Sequence, residues 1–153
     1  MLKPGDKAPS FSLPSDAGET VKLADLKGRK VVLYFYPKDD TSGCTTEACE
    51  FRDSWAAVKA EGAVIYGVSP DGIGSHQKFR TTYQLPFPLL ADEDHVVAER
   101  YGAWGEKSMY GRKYHGILRS TFIIGDDGRL LAVFPKVKPK GHAEQVLGAL
   151  RGE

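Results

Sequence analysis

A chain of 153 residues has the length of one domain with a single substantial core, and 41% hydrophobic with 27% charged residues is an ordinary globular balance. Twenty-one basic against 20 acidic side chains leave a net charge of +1, so neither nucleic acid nor an anionic membrane is expected as a partner. The apolar runs are strand-sized and the opening M-L-K-P-G-D-K-A-P-S holds no apolar leader, so a cytoplasmic protein, one domain over residues 1–153, is expected.

In chain order, Phe11-Ser12-Leu13 and Thr20-Val21-Lys22-Leu23 flank the turn residues P-S-D-A-G-E, which predicts an N-terminal β-hairpin extension. Ala24 to Gly28 suggests one helical turn. Val31 to Tyr36 is a continuous apolar run, as a central strand covered on both faces requires, and Pro37 ends it. One helix is predicted from about Ser42 to Lys59, then a buried strand over 64–68 and a loop over 69–72. A helix over 74–83, a strand over 87–91 and a helix over 93–101 follow. Residues 102–116, rich in Gly, Tyr and Lys, read as an ordered functional loop. Ser120–Ile124 and Leu130–Phe134 flank G-D-D-G-R, a hairpin, and a helix around Ala143 to Leu150 closes the chain. This order predicts an α/β sandwich of the thioredoxin-like kind, a central mixed β-sheet flanked by helices.

The only two cysteines, Cys44 and Cys49, stand five residues apart at the start of the first long helix, just after a buried strand. Backbone N–H groups and the helix dipole at such a place favour a thiolate, the form of cysteine that attacks. On an intact helix, Cα atoms five residues apart lie roughly 8–9 Å from each other. A disulfide needs about 7 Å or less, so the pair can bridge only if the helix unwinds. A permanent staple would therefore destroy the helix that the sequence favours. A structural zinc site would need more ligands, and His76, His95, His115 and His142 have no ligand-like spacing. A switching redox pair fits best, with two unrelated cysteines as the plainer alternative.

Around Cys44, Thr41 offers a hydroxyl that donates and accepts, Gly43 allows close backbone approach, and Pro37 stiffens the entry without adding a donor. Thr41 and Ser42 also suit helix capping. The spacing P-x-x-x-T-x-x-C, from Pro37 through Thr41 to Cys44, resembles the active-site motif of peroxiredoxins. The segments Y-P-K-D-D-T-S-G-C-T-T-E-A-C-E-F-R-D, W-G-E-K-S-M-Y-G-R-K-Y-H-G-I-L-R-S-T-F-I-I and G-D-K-A-P-S-F-S-L resemble the bacterioferritin comigratory protein, or peroxiredoxin Q, subgroup. Ser42 departs from it, since that subgroup usually has proline there.

The resemblance implies a thiol peroxidase that needs no cofactor and no metal. Cys44 would be the peroxidatic nucleophile and Cys49 the resolving thiol of an atypical 2-Cys enzyme. Arg119, in R-S-T-F, matches the family's active-site arginine, and Glu47 matches a carboxylate that orients it. The implied partners are a hydroperoxide and a dithiol reductant such as thioredoxin, and a monomer is expected because both sulfurs lie in one chain. Two rivals remain. A thioredoxin-like disulfide oxidoreductase would use C-x-x-C, which is absent, and a redox-sensing binding module would need less oxyanion stabilisation than Thr41 and Arg119 offer.

Overall fold

Side chains along Val31–Tyr36 point alternately to opposite faces of a sheet, and both sets are apolar, so the segment demands cover on both sides. In the computed structural model, which describes residues 1–153, this segment is the middle strand of five. The elements run β1 (Ser12–Pro14), β2 (Thr20–Lys22), a 3-10 turn (Leu23–Leu26), β3 (Lys30–Phe35), α1 (Ser42–Asp53), α2 (Trp55–Ala60), β4 (Ala63–Ser69) and α3 (Ile73–Tyr83). Then come β5 (Leu89–Ala91), α4 (Val96–Arg100), β6 (Trp104–Met109), β7 (Arg112–Ile117), β8 (Ser120–Ile124), β9 (Leu130–Phe134) and α5 (His142–Leu150).

The main sheet has the order β5-β4-β3-β8-β9, with β3, β4 and β5 parallel and β8 and β9 antiparallel to their neighbours. It separates two apolar clusters. Val31, Leu33 and Phe35 face one that includes the N-terminal segment and Val97 and Ala98 of α4. Val32, Tyr34 and Tyr36 face the other, built with Ala48 and Phe51 of α1, Val58, Phe79 and Val146. Phe35 pairs with Ser120, so the end of β3 and the start of β8 lie side by side. Whatever follows Tyr36 is thereby brought next to whatever precedes Ser120.

Three expectations need correction. The helix predicted over 42–59 is two helices: Ser54, at φ −97 and ψ 3, turns the chain, and Trp55 at the head of α2 packs on Phe87, ring centroids 6.2 Å apart. Residues 102–116 are not a loop, because β6 and β7 pair from Trp104↔Ile117 to Met109↔Arg112. Their turn is Tyr110-Gly111, both at positive φ (52 and 80), the backbone of a tight primed hairpin turn that Asn-Gly usually signals. Helix α4 begins only at Val96, because Asp92 caps it by accepting from the N–H groups of Val97 and Ala98. The N-terminal hairpin, β8, β9 and α5 lie where the sequence placed them, within a residue or two.

Candidate active site

Helix α1 buries Cys44, Glu47, Ala48 and Phe51, a stripe with the period of a helix face laid on β3. Cys44 therefore points inward, against the sheet, and is 1% exposed. Glu47, one turn on, is buried as well, which a carboxylate tolerates only with a partner. The partner is Arg119, in the two-residue link between β7 and β8. Its Nη1 donates to Glu47 Oε1 at 2.7 Å and its Nη2 donates to Cys44 Sγ at 3.2 Å. One planar guanidinium thus spans the sulfur and the carboxylate. Its backbone is tied down by Val137, whose N–H donates to the Arg119 carbonyl.

Burial is the largest influence on Glu47 and raises its pKa to about 7, although the Arg119 charge and hydrogen bond pull the other way. The imbalance has a visible cause: Oε2 is buried with no hydrogen-bond partner, so Arg119 satisfies only half of the carboxylate. Burial alone would lower Arg119, but the charges of Glu47 and Cys44 outweigh it and hold the guanidinium above its ordinary value.

Gly43 serves these contacts in a way the sequence did not suggest. A Cβ there would come within 3.3 Å of Arg119 Nη2 and 3.2 Å of Pro139 Cγ, so the missing side chain leaves room for the arginine. Thr41 takes the N-cap position of α1 with extended backbone, but its hydroxyl donates to the Lys38 carbonyl at 2.9 Å and makes no side-chain cap. Ser42 is already the first residue of the helix. Pro37 is half-buried just beyond β3. Cys49 is half-buried, forms no disulfide with the buried Cys44, and occupies the same helix on a different side from the buried stripe. The structure therefore brings Cys44, Gly43, Glu47 and Arg119 into one cluster. Thr41, Pro37 and Cys49 stand around it without a direct hydrogen bond to the sulfur.

Spacing gave no hint of a second polar cluster. Asp39, two residues past Pro37, is buried and accepts from Tyr36 (2.5 Å), Ser75 (2.7 Å) and His76 Nδ1 (2.7 Å). His76 is fully buried, and its other nitrogen faces the Leu90 carbonyl at 2.9 Å. The Asp39 N–H donates to Asp71. Burial raises Asp39, but the hydrogen bonds from His76 and Tyr36 and the His76 charge outweigh it, and the carboxyl is held below its ordinary 3.8. The loop leading to Cys44 is thereby fastened to the N-terminal end of α3. A histidine and an aspartate 37 residues apart meet only because β4 carries the chain from one to the other.

Residues 4–133 match the AhpC/TSA family. Peroxiredoxin Bcp of Bacillus subtilis is 52% identical over 147 residues, 96% of this chain and 94% of that protein. Peroxiredoxin Bcp of Escherichia coli K12 is 45% identical over 150 residues, 98% and 96% of the two chains. A solved structure of the Xanthomonas campestris bacterioferritin comigratory protein, described for its alkyl peroxide reduction activity, superposes with a TM-score of 0.89 at 38% identity, over 93% of this chain and 90% of that one. The chain belongs to the AhpC/TSA family and, within it, to the Bcp or peroxiredoxin Q group of peroxiredoxins. It is a thiol-dependent peroxidase, and its thioredoxin-like α/β fold is the one its sequence pattern predicted.

Proposed function

We propose that the chain reduces hydrogen peroxide and organic hydroperoxides at Cys44, and that Cys49 resolves the product. The observation that carries this reading is the single guanidinium donating to both Cys44 Sγ and Glu47. The Cys44 thiolate attacks the terminal oxygen of the hydroperoxide. The S–O bond forms as the O–O bond breaks, and the departing oxygen takes a proton and leaves as water or an alcohol. Arg119, together with the Thr41 hydroxyl and the Gly43 and Cys44 amides, stabilises charge developing on the two oxygens. Pro37 keeps the entry to this loop stiff, and Glu47 orients Arg119.

The sulfenic acid on Cys44 then meets the Cys49 thiolate. A sulfur–sulfur bond forms, and the sulfenic hydroxyl leaves with a proton as water. Because Cα atoms five apart on a helix are too distant, the first turns of α1 must unwind for this step. A dithiol, with thioredoxin as the chemical type, reduces the disulfide by exchange and returns the helix. Both sulfurs belong to one chain, so a monomer suffices, and reduced resting cysteines suit the cytoplasm. The alkyl peroxide activity described for the Xanthomonas relative supports organic hydroperoxides as substrates alongside hydrogen peroxide.

The test is to add hydrogen peroxide to reduced protein. One equivalent should be consumed and both thiols lost. Cys44→Ser should abolish consumption. Cys49→Ser should keep the first oxidation, then stop at sulfenic or higher acids unless an external thiol is present. Consumption by Cys44→Ser at the wild-type rate would remove Cys44 from the chemistry.

A further inference from the structure

Tyr83, the last residue of α3, touches the segment around the two cysteines at points that bracket both. Its hydroxyl donates to Asp40 Oδ1 at 2.6 Å, four residues before Cys44. Thr45, directly after Cys44, stands beside the same phenol. The Tyr83 backbone carbonyl accepts from Arg52 Nη1 at 2.9 Å, three residues after Cys49. The ring is seated edge-on against Phe79, 5.4 Å between centroids, and Phe79 is buried in the core. In sequence, Cys49 lies between Thr45 and Arg52, inside the stretch that these contacts bracket.

The two aspartates before the Cys44 loop are held unequally. Asp39 is buried and bonded to Tyr36, Ser75 and His76 at once. Asp40 is exposed, has a left-handed backbone (φ 57), and its side chain has one bond, that from Tyr83. Aspartate tolerates that backbone better than most residues but still holds it best with local support. Unwinding that frees the chain from Asp40 onward therefore breaks the bond from the Tyr83 hydroxyl, while the Asp39 anchor before it and the Arg52 contact after it stay in place.

We propose that Tyr83 is a latch that keeps the first turns of α1 wound and thereby sets how fast the Cys44 sulfenic acid passes to the disulfide. It is a positioning residue, acting through the helix, and the proposal rests on the reading of Cys49 as the resolving thiol. While the latch is closed, a second hydroperoxide competes for the sulfenic acid. That reaction transfers one more oxygen to the sulfur, giving sulfinic acid and releasing water or an alcohol. Latch strength thus divides the enzyme between turnover and oxidative inactivation.

Tyr83→Phe removes only the hydroxyl and keeps the ring on Phe79. Reduced wild type and variant are mixed with hydrogen peroxide in a stopped-flow instrument, and tryptophan fluorescence follows oxidation and then resolution. Peptide mass spectrometry measures the Cys44–Cys49 disulfide and the sulfinic form. The first phase should be unchanged. The second should be about two- to fivefold faster, the scale of one exposed hydrogen bond lost from the wound state. The peroxide concentration that drives half of Cys44 to sulfinic acid should rise by the same factor. Asp40→Asn, which weakens the acceptor from the other end, should shift both readouts in the same direction. A second phase equal to or slower than wild type in Tyr83→Phe, at an unchanged melting temperature, overturns the latch and leaves the resolving role of Cys49 standing. No Cys44–Cys49 disulfide in the wild type overturns both.

Discussion

Replacing Glu47 by glutamine removes a charge from beneath Arg119 with almost no change of shape. In the folded protein burial keeps the Glu47 proton on up to about pH 7, whereas the unfolded chain releases it near 4.5. Between those values the folded state binds more protons than the unfolded state, so stability falls as pH rises, and the loss is complete above about 7. A displacement from 4.5 to about 7, at 1.36 kcal/mol per tenfold, corresponds to about 3 kcal/mol. Glutamine has no such titration. The stability difference between Glu47→Gln and wild type should therefore move in favour of the variant by about 3 kcal/mol between pH 4.5 and 8, or roughly 6–12 °C in melting temperature for a domain of this size. Urea unfolding at several pH values measures it. A difference that stays flat over that range would refute the argument that half-satisfied burial, more than the arginine, governs this carboxyl. Peroxide reduction at pH 8, where Glu47 is ionised, gives an independent reading: without its charged partner Arg119 is less firmly aimed at Cys44, and the rate should drop by about tenfold.

Gly43→Ala places a methyl group where Arg119 Nη2 and Pro139 Cγ each stand close, at 3.3 and 3.2 Å. Displacing the guanidinium by a few tenths of an ångström should slow sulfenic acid formation by about three- to tenfold, while the better helix propensity of alanine keeps the melting temperature from falling. An unchanged rate would show that this arginine has slack. Asp39→Asn removes the charge that gathers Tyr36, Ser75 and His76, and should cost about 2 kcal/mol at pH 7. Because the folded state holds this carboxyl below 3.8, its contribution is present above that value and fades as pH falls through the folded one, so the stability gap between wild type and variant should narrow steadily in unfolding measured at successively lower pH below 3.8.

The main sheet was legible because β3 is apolar and buried at every position after Lys30, and only a strand covered on both faces sustains that pattern. The β6–β7 hairpin was not legible, because it pairs outside the main sheet and buries little of either face, so no apolar alternation marks it. Its turn has tyrosine at the first left-handed position, where the usual signal is asparagine or aspartate. The break at Ser54 was hidden by residues on both sides that all suit a helix. At the site, the motif around Cys44 is local and could be read. Arg119, 75 residues away, came only from resemblance, since no spacing rule connects a strand entry to a helix N-terminus. The Asp39–His76 pair and Tyr83 left no local mark, because their meaning lies in contacts that only the folded order of β3, β4 and α3 creates.

Helix α1 is held differently along its length, and the proposed cycle depends on that difference. Phe51 sits in the core against Tyr34 (4.9 Å) and His142 (5.8 Å), so the later turns carry the packing energy of the helix. The early turns hold Cys44 and Glu47, and both are fixed by the same arginine. Oxidation of Cys44 replaces the thiolate acceptor of Arg119 by a sulfenic acid, which is neutral when protonated and accepts a hydrogen bond less strongly. The chemical step thus weakens the contact that holds the turns needing to open, while Phe51 keeps the rest of the helix seated. In the proposed cycle the Glu47–Arg119 pair and Tyr83 are the restraints that remain, and unwinding reaches Cys49 and stops there, because the next turn is core.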